Sequence, residues 1–141
     1  MKPKDETKPY ESRLMEDLHP ELQIAYSYAE SRFNALYPNV NVFRTCTYRN
    51  NAMQDVYFKK RPKITNAMAG QSPHNYYPSL AFDIAFLENK QLSYKPKYFK
   101  EFYDIIKGYN GNADITWGGN FKSLPDAPHF ELTNWKQLAK F

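Results

Sequence analysis

The clearest strand in the sequence is Leu80-Ala81-Phe82-Asp83-Ile84-Ala85-Phe86. Successive side chains of a strand point to opposite faces of its sheet. One face is therefore predicted to carry the apolar residues Leu80, Phe82, Ile84 and Phe86. The other face carries Asp83 between two alanines, which leave room above the sheet. A buried carboxylate is costly unless it is paired or bound to a metal, so Asp83 is the first candidate functional residue.

Helices are predicted on both sides of this strand. Pro20 suits a first helical turn and begins a helix over residues 20–36. The apolar stripe of this helix is Leu22, Ala25, Ala29, Phe33 and Leu36. A second amphipathic helix covers 96–107 and ends at Gly108. Its inward residues are Phe99, Phe102, Tyr103 and Ile106. Shorter helices are predicted at 11–18, 50–59 and 134–140.

Further strands are predicted at 41–48, 114–117 and 129–132, and a long polar loop at 61–79. The pattern indicates a single α+β domain over residues 11–141, preceded by a loose leader at residues 1–10. A small antiparallel sheet packed against helices is the expected architecture.

Composition narrows the class of protein. The chain has 141 residues, of which 42% are hydrophobic and 24% charged, as in ordinary globular domains. A single cysteine, Cys46, excludes an intrachain disulfide framework and a cysteine-based zinc finger. No apolar run approaches the roughly 18 residues of a membrane span. The first residues lack the apolar stretch of a secretory signal, so we expect a soluble product of the cytoplasm.

The net charge of +4 favours anionic partners. Basic residues cluster at 59–63 and at Lys95, Lys97 and Lys100. Nucleic acid, a membrane surface and an acidic wall polymer all fit this charge, and so do two merely solvated faces. A nucleic-acid binder would leave Asp83 in its apolar strand unexplained.

Two of the three histidines stand where they could join Asp83. His74 lies in the loop before the Asp83 strand, and His129 begins the last predicted strand. Two imidazoles and one carboxylate suffice to hold a catalytic zinc ion with a fourth position left open. The alternative is that Asp83 pairs with an arginine or lysine while both histidines make loop hydrogen bonds. His19, beside Pro20, is interpreted as a local capping residue.

Asp126 precedes His129 by three residues and is a candidate general base. An aspartate after Pro125 is also common in turns, so a structural role stays open. Glu131 is a competitor, because it shares the His129 face of the strand. It is either a partner of His129 or the base itself.

Three blocks carry a resemblance to a known family: Ser72-Pro73-His74, Ala81-Phe82-Asp83 and Asp126-Ala127-Pro128-His129. Upstream, Tyr48-Arg49 with Gln54 and Tyr57 is similar to a further segment of that family, as are Leu18-His19-Pro20 and Trp117-Gly118-Gly119. The chain resembles the M15 zinc D,L-peptidases, which include D-Ala-D-Ala carboxypeptidases and the L-alanyl-D-glutamate peptidases used as phage endolysins. One departure is the interval from His74 to Asp83, which is nine positions rather than the usual seven.

The resemblance implies a fold of the DD-peptidase/hedgehog type with zinc (Zn²⁺) on the sheet. It implies that His74, Asp83 and His129 bind the metal. Asp126 would take the proton from the attacking water, and Arg49 would stabilise the oxyanion or hold a substrate carboxylate. The predicted substrate-binding residues are Ser72, Gln54 and Trp117.

The predicted function is zinc-dependent cleavage of the peptidoglycan stem peptide, as an L-alanyl-D-glutamate endopeptidase acting as a phage endolysin. Such an enzyme is expected in the host cytoplasm until a holin-type release, as a monomer without a nucleic-acid partner or stable membrane association. A D-Ala-D-Ala carboxypeptidase or dipeptidase is one alternative. A non-catalytic, zinc-containing wall-binding module is another.

Overall fold

The computed structural model describes residues 6–111 and 113–140. The helices are α1 (Pro20–Leu36), α2 (Asn51–Lys59), α3 (Pro96–Ile106) and α4 (Trp135–Leu138). The strands are β1 (Val40–Cys46), β2 (Ala81–Glu88), β3 (Gln91–Ser93), β4 (Ile115–Trp117) and β5 (His129–Leu132). Short 3-10 turns lie at Met15–Asp17, Pro73–Asn75 and Gly118–Asn120. Within the described ranges, no helix has the length and apolar character needed to cross a membrane.

All five strands form one antiparallel sheet in the order β1-β2-β5-β4, with β3 paired to β2. Asp83 of β2 lies directly opposite His129 of β5 on one side and Cys46 of β1 on the other. Ala81 pairs with Glu131 two residues away on the same face. The sheet register therefore gathers the polar residues of three strands on one face.

The opposite face of the sheet packs against α1 and α3 through aromatic side chains. Phe82 stacks on Phe130, with ring centroids 5.3 Å apart, and meets Tyr26 of α1 edge-on at the same distance. Phe102 of α3 closes the cluster against Phe130. Burial of such a ring contributes about 1.5–3 kcal/mol. The predicted α+β fold, with a small antiparallel sheet against helices, is confirmed.

Several predicted boundaries differ from the structure. The expected helix at 11–18 is only the 3-10 turn Met15–Asp17. Leu36, assigned to the inward stripe, is 58% exposed because it is the last residue of α1. The hairpin strand β3 was not predicted, since its three residues are too few to show alternation. The capping role of His19 is confirmed: its Nδ1 accepts a hydrogen bond from the Glu21 N–H.

The described part of the predicted leader, residues 6–10, is tied to the domain. The Asn50 N–H donates to the Tyr10 carbonyl at 3.0 Å, and the Asn50 side chain binds both Tyr10 N–H and Lys8 carbonyl. The Tyr48 hydroxyl donates to Glu6 at 2.7 Å. Residues 1–5 of the predicted leader lie outside the described residues.

Candidate metal centre

Three side chains converge above the sheet. His74 Nε2 lies 3.1 Å from Asp83 Oδ1, and His129 Nδ1 lies 3.0 Å from the same oxygen. The two imidazole nitrogens are 3.2 Å apart. Ligand atoms bound at about 2.0–2.1 Å to one tetrahedral zinc ion lie about 3.3 Å from one another. The triangle therefore has the size of one face of such a tetrahedral site, and the structure brings together the three predicted ligands.

Hydrogen bonds fix which nitrogen of each imidazole faces the triangle. His74 Nδ1 lies 2.7 Å from the Thr47 carbonyl oxygen, which only accepts, so Nδ1 carries the proton. His129 Nε2 lies 2.7 Å from Glu131 Oε1, again an acceptor. Both inward nitrogens of the neutral rings therefore present lone pairs, as metal-binding histidines do when a carbonyl or carboxylate holds the other nitrogen.

Three acceptor atoms that face one another at about 3 Å require a positive charge between them. A metal ion or an added proton supplies it. Burial opposes ionisation of Asp83, but the attraction and hydrogen bonds of His74 and His129 outweigh it and hold the pKa of that carboxyl well below its ordinary value. Burial likewise opposes a charge on His129, yet Asp83 and Glu131 raise its pKa to about 10. The donor set, two imidazoles and a carboxylate, suits zinc.

The loop before β2 holds His74 through a helical turn. Ser72 caps the turn Pro73–Asn75: its Oγ accepts the His74 N–H at 3.2 Å. His74 is only 1% exposed. The loop that follows is two residues longer than the usual pattern, and its Ser79 N–H donates to the Asp17 carbonyl at 2.8 Å. The extra residues thus attach to the chain before α1 and leave His74 beside Asp83.

Cys46 belongs to a second possible ligand set with His74 and Asp83, whose ligand atoms lie within 4.8 Å of one another. Its Sγ lies 3.7 Å from His74 Nδ1, the nitrogen that already donates to Thr47. Burial raises the pKa of the Cys46 thiol, which disfavours the thiolate that would bind a metal. The tighter triangle with His129 is therefore the better site.

Arg49 stands beside this triangle. Its Nη2 lies 3.6 Å from Asp83 Oδ2, so the alternative pairing of Asp83 with an arginine is present together with the two histidines. Arg49 Nη1 donates to Gln54 Oε1 at 3.0 Å, and its Nε donates to Glu11 Oε1 at 3.4 Å. Glu11 and Gln54 thus fix the Arg49 guanidinium, a positive charge, in the wall of the site.

A cavity of about 1060 Å³ opens over the triangle. Its wall contains the three candidate ligands together with Arg49, Ser72, Asp126 and Glu131. Asp126 keeps an exposed surface. Its pKa is nevertheless raised, first because surrounding protein atoms exclude water from its carboxyl, and second because of the negative charge of Asp83. A raised pKa brings a carboxylate closer to the neutral range in which a general base works.

The two acidic candidates for the base have different surroundings. Glu131 Oε1 is engaged by His129 Nε2 at 2.7 Å. Asp126 accepts no side-chain hydrogen bond of this kind among those seen in the described residues. Glu131 therefore acts as the partner of His129, which leaves Asp126 as the candidate base.

Two predicted substrate-binding residues lie behind the cavity wall rather than in it. Gln54 is fully buried and uses both ends of its amide, accepting from Arg49 and donating to the Ala67 carbonyl. Trp117 is buried, and its Nε1 donates to the Ala127 carbonyl at 2.7 Å. Neither belongs to the cavity wall formed by the described residues. Both hold neighbours of the site in place. Ser72 does line the cavity, but its hydroxyl caps the His74 turn.

Three neighbours of the site have no sequence pattern that indicates them: Glu11, Thr47 and Cys46. Glu11 is 38 residues from the arginine it binds, and no local pattern marks it. Thr47 contributes a backbone carbonyl, which any residue could supply. Cys46 is brought to Asp83 by strand register alone.

Comparisons with known proteins agree with this geometry. The sequence profile of an M15 peptidase family, described as D-alanyl-D-alanine carboxypeptidase, matches residues 65–132, which include all three candidate ligands and Asp126. The fold is similar to that of the Serratia marcescens L-Ala D-Glu endopeptidase ChiX, with a TM-score of 0.68 and 21% sequence identity. That match covers 91% of this chain and 92% of the other.

The molecule is thus an α+β hydrolase domain of the peptidase class. The family match over residues 65–132 and the shared fold support an M15 family D,L-peptidase, as the sequence motifs predicted.

Proposed function

We propose that this chain is a zinc-dependent peptidase that cleaves the stem peptide of bacterial peptidoglycan between L-Ala and D-Glu. One observation carries the proposal: the lone pairs of His74 and His129 and the carboxylate of Asp83 meet at 3.0–3.2 Å in the wall of an open cavity. The match of residues 65–132 to an M15 peptidase family and the fold shared with an L-Ala D-Glu endopeptidase support the substrate class.

Zinc held by His74, Asp83 and His129 would polarise a carbonyl and lower the pKa of a water toward about 7. Asp126 accepts a proton from the attacking water, whose oxygen forms the new bond to the carbonyl carbon. The same carboxyl then gives its proton to the amine nitrogen as the C–N bond breaks. Proton and bond changes balance, and the products are a carboxylic acid and an amine.

Arg49 supplies a fixed positive charge in the wall of the same cavity. A preorganised charge at a developing oxyanion is worth about 2.7–4 kcal/mol. The same guanidinium would alternatively bind a substrate carboxylate, with bidentate geometry. These two roles differ in kinetics, since an oxyanion donor changes kcat and a substrate anchor changes KM.

We further propose that the protein acts as a phage endolysin on the wall of its host, after release from the host cytoplasm. Its net charge of +4 suits an anionic wall polymer. The second candidate function is a D-Ala-D-Ala carboxypeptidase, which is favoured by the description of the matching family.

Mass spectrometry of digested peptidoglycan tests both candidates. Purified wall is treated with the protein, with the protein plus a chelator, and with the chelated protein after zinc is restored. Free stem peptides that begin at D-Glu, formed only with metal, would support the endopeptidase. Release of D-Ala alone would identify the carboxypeptidase. A tightly held zinc ion without any product from several wall types would contradict a peptidase function for this site.

A further inference from the structure

The chain before α1 runs alongside the strand end that carries Arg49. The Ser12 N–H donates to the Tyr48 carbonyl at 2.7 Å, and the Thr47 N–H donates to the Ser12 carbonyl at 2.6 Å. Glu11 itself is paired with Arg49 in an antiparallel bridge. The backbone therefore fixes Glu11 next to the cavity arginine, although 38 residues separate them.

The Glu11 side chain holds two neighbours at once. Its Oε1 accepts from Arg49 Nε at 3.4 Å, and its Oε2 accepts from the Tyr57 hydroxyl at 2.8 Å. The Tyr57 ring in turn lies against the guanidinium, with the Arg49 Cζ 4.6 Å from the ring centroid. Tyr57 and Arg49 both line the cavity. Glu11 thus joins the two residues from outside that wall.

Two carboxylates compete for the guanidinium. Glu11 stands 3.4 Å from Nε, and Asp83 stands 3.6 Å from Nη2. Without Glu11, no second carboxylate would oppose the attraction of Asp83, and the neutral Gln54 amide would be left to hold the arginine against it. An arginine paired tightly with Asp83 would have fewer N–H groups directed at substrate.

We propose that Glu11 is a positioning residue that, with Tyr57, keeps Arg49 from closing further on Asp83 and leaves its guanidinium directed at the substrate. The proposal rests on the proposed peptidase function for its kinetic test, but the placement of Arg49 can be measured without substrate. A misplacement of about 1 Å in a catalytic or binding group costs about 100-fold in rate. We therefore expect kcat/KM of Glu11→Ala to fall by about 10- to 100-fold.

The kinetic test is a double-mutant cycle on a stem peptide with Glu11→Ala, Arg49→Ala and the double variant. If Glu11 acts through Arg49, its removal costs 10- to 100-fold in the wild-type background and less than about twofold in the Arg49→Ala background. Equal losses in both backgrounds would overturn the proposal. Glu11→Gln keeps the shape and hydrogen-bonding capacity of the side chain without its charge, so it should recover part of the loss.

Ser12→Ala is the matched control for the attachment of the segment. The Ser12 hydroxyl donates to Asp17 at 2.6 Å and accepts the Leu14 N–H, and it does not touch Arg49. This variant should keep kcat/KM within about twofold while weakening the same stretch of chain. A loss as large as that of Glu11→Ala would assign the effect to loosening of the segment and refute the positioning role.

Arginine side-chain NMR separates this proposal from the proposed function. The Arg49 Nε–H donates a hydrogen bond to Glu11. Hydrogen exchange of this Nε–H should therefore accelerate several-fold in Glu11→Ala and stay near wild type in Ser12→Ala. An unchanged exchange rate would overturn the proposal even in an active enzyme. Faster exchange in a protein without peptidase activity would support the placement of Arg49 while the peptidase function fails.

Discussion

Replacement of Glu131 by glutamine distinguishes a partner of the metal ligand from the catalytic base. Glu131 Oε1 lies 2.7 Å from His129 Nε2, and its charge helps to raise the pKa of that imidazole. Glutamine retains an oxygen that can accept the Nε2–H, but it removes the negative charge. Loss of such a partner typically weakens metal affinity or activity by about 10- to 100-fold, which corresponds to about 1.4–2.7 kcal/mol.

We therefore expect the zinc Kd of Glu131→Gln to rise by about 10- to 100-fold. At saturating zinc, turnover should return to within about tenfold of wild type, because the proton-transfer group is still present. A competition titration against a chromophoric chelator measures the Kd, and peptide hydrolysis at several zinc concentrations measures turnover. Glu88→Gln is the control, since Glu88 lies at the far end of β2 and binds Lys95 and Tyr98.

The opposite result would refute this reasoning. If Glu131→Gln binds zinc as tightly as wild type and still loses 100-fold or more in turnover, on the scale of general acid–base catalysis, then Glu131 is the base. Asp126 would then have a structural role in the turn before His129.

Three further predictions concern the base, the metal and the core. Asp126→Ala should keep the zinc Kd within about threefold and lose about 10²–10⁴-fold in kcat, as measured by the same titration and by peptide hydrolysis; retained turnover would exclude Asp126 as the base. Removal of metal by a chelator should lower the free energy of unfolding by about 2.7 kcal/mol relative to protein with zinc at 100 times its Kd. Restored zinc should reverse this loss and Mg²⁺ should not, because imidazole ligands suit zinc. Equal recovery with Mg²⁺ in thermal unfolding would contradict the assignment. Phe82→Ala should cost about 3–5 kcal/mol in urea unfolding, since its fully buried ring packs on Phe130 and Tyr26, and a cost below about 1 kcal/mol would mean that these rings do not form the core.

A substitution at Gly118 would test whether this glycine holds the backbone of Asp126, the candidate base, in place. A Cβ at this position would collide with the Asp126 carbonyl oxygen and lie 3.0 Å from His129 Cβ. The Gly118 carbonyl also accepts the Asp126 N–H at 2.8 Å. Gly118→Ala should therefore lower kcat by a larger free-energy equivalent than it lowers the free energy of unfolding. Kinetic assays and urea unfolding of one preparation would measure the two quantities. Normal turnover would show that the loop moves without consequence.

Local patterns were sufficient for much of the fold. Alternation in β2 placed Phe82 and Asp83 on opposite faces, and helical spacing identified the buried stripe of α1 from Leu22 to Phe33. These features depend on neighbours in sequence, which is why one sequence reveals them. The end of that stripe at Leu36 was wrong, because periodicity does not show where a helix loses contact with its sheet.

The site was predictable only where its residues have unusual chemistry. Asp83 was conspicuous as a carboxylate in an apolar strand, and the scarcity of histidines singled out His74 and His129. The placement of Gln54 and Trp117 behind the cavity wall was not predictable, because an amide or an indole binds a substrate or a backbone carbonyl equally well. Only the structure shows that backbone carbonyls already accept from both. Glu11 could not be found, since a long-range contact leaves no trace in local spacing.

The register of β2 with β5 places Asp83 opposite His129, and the next pair along, Phe82 and Phe130, forms the centre of the core. If β5 slipped by one residue along β2, His129 would turn into the interior and Phe130 toward the cavity, so the site and the core would be lost together. Two adjacent cross-strand pairs of β2 and β5 therefore carry both the candidate metal site and the centre of the hydrophobic core. On heating, loss of activity should therefore coincide with loss of the native fold, with no temperature interval in which an intact scaffold carries a dismantled site.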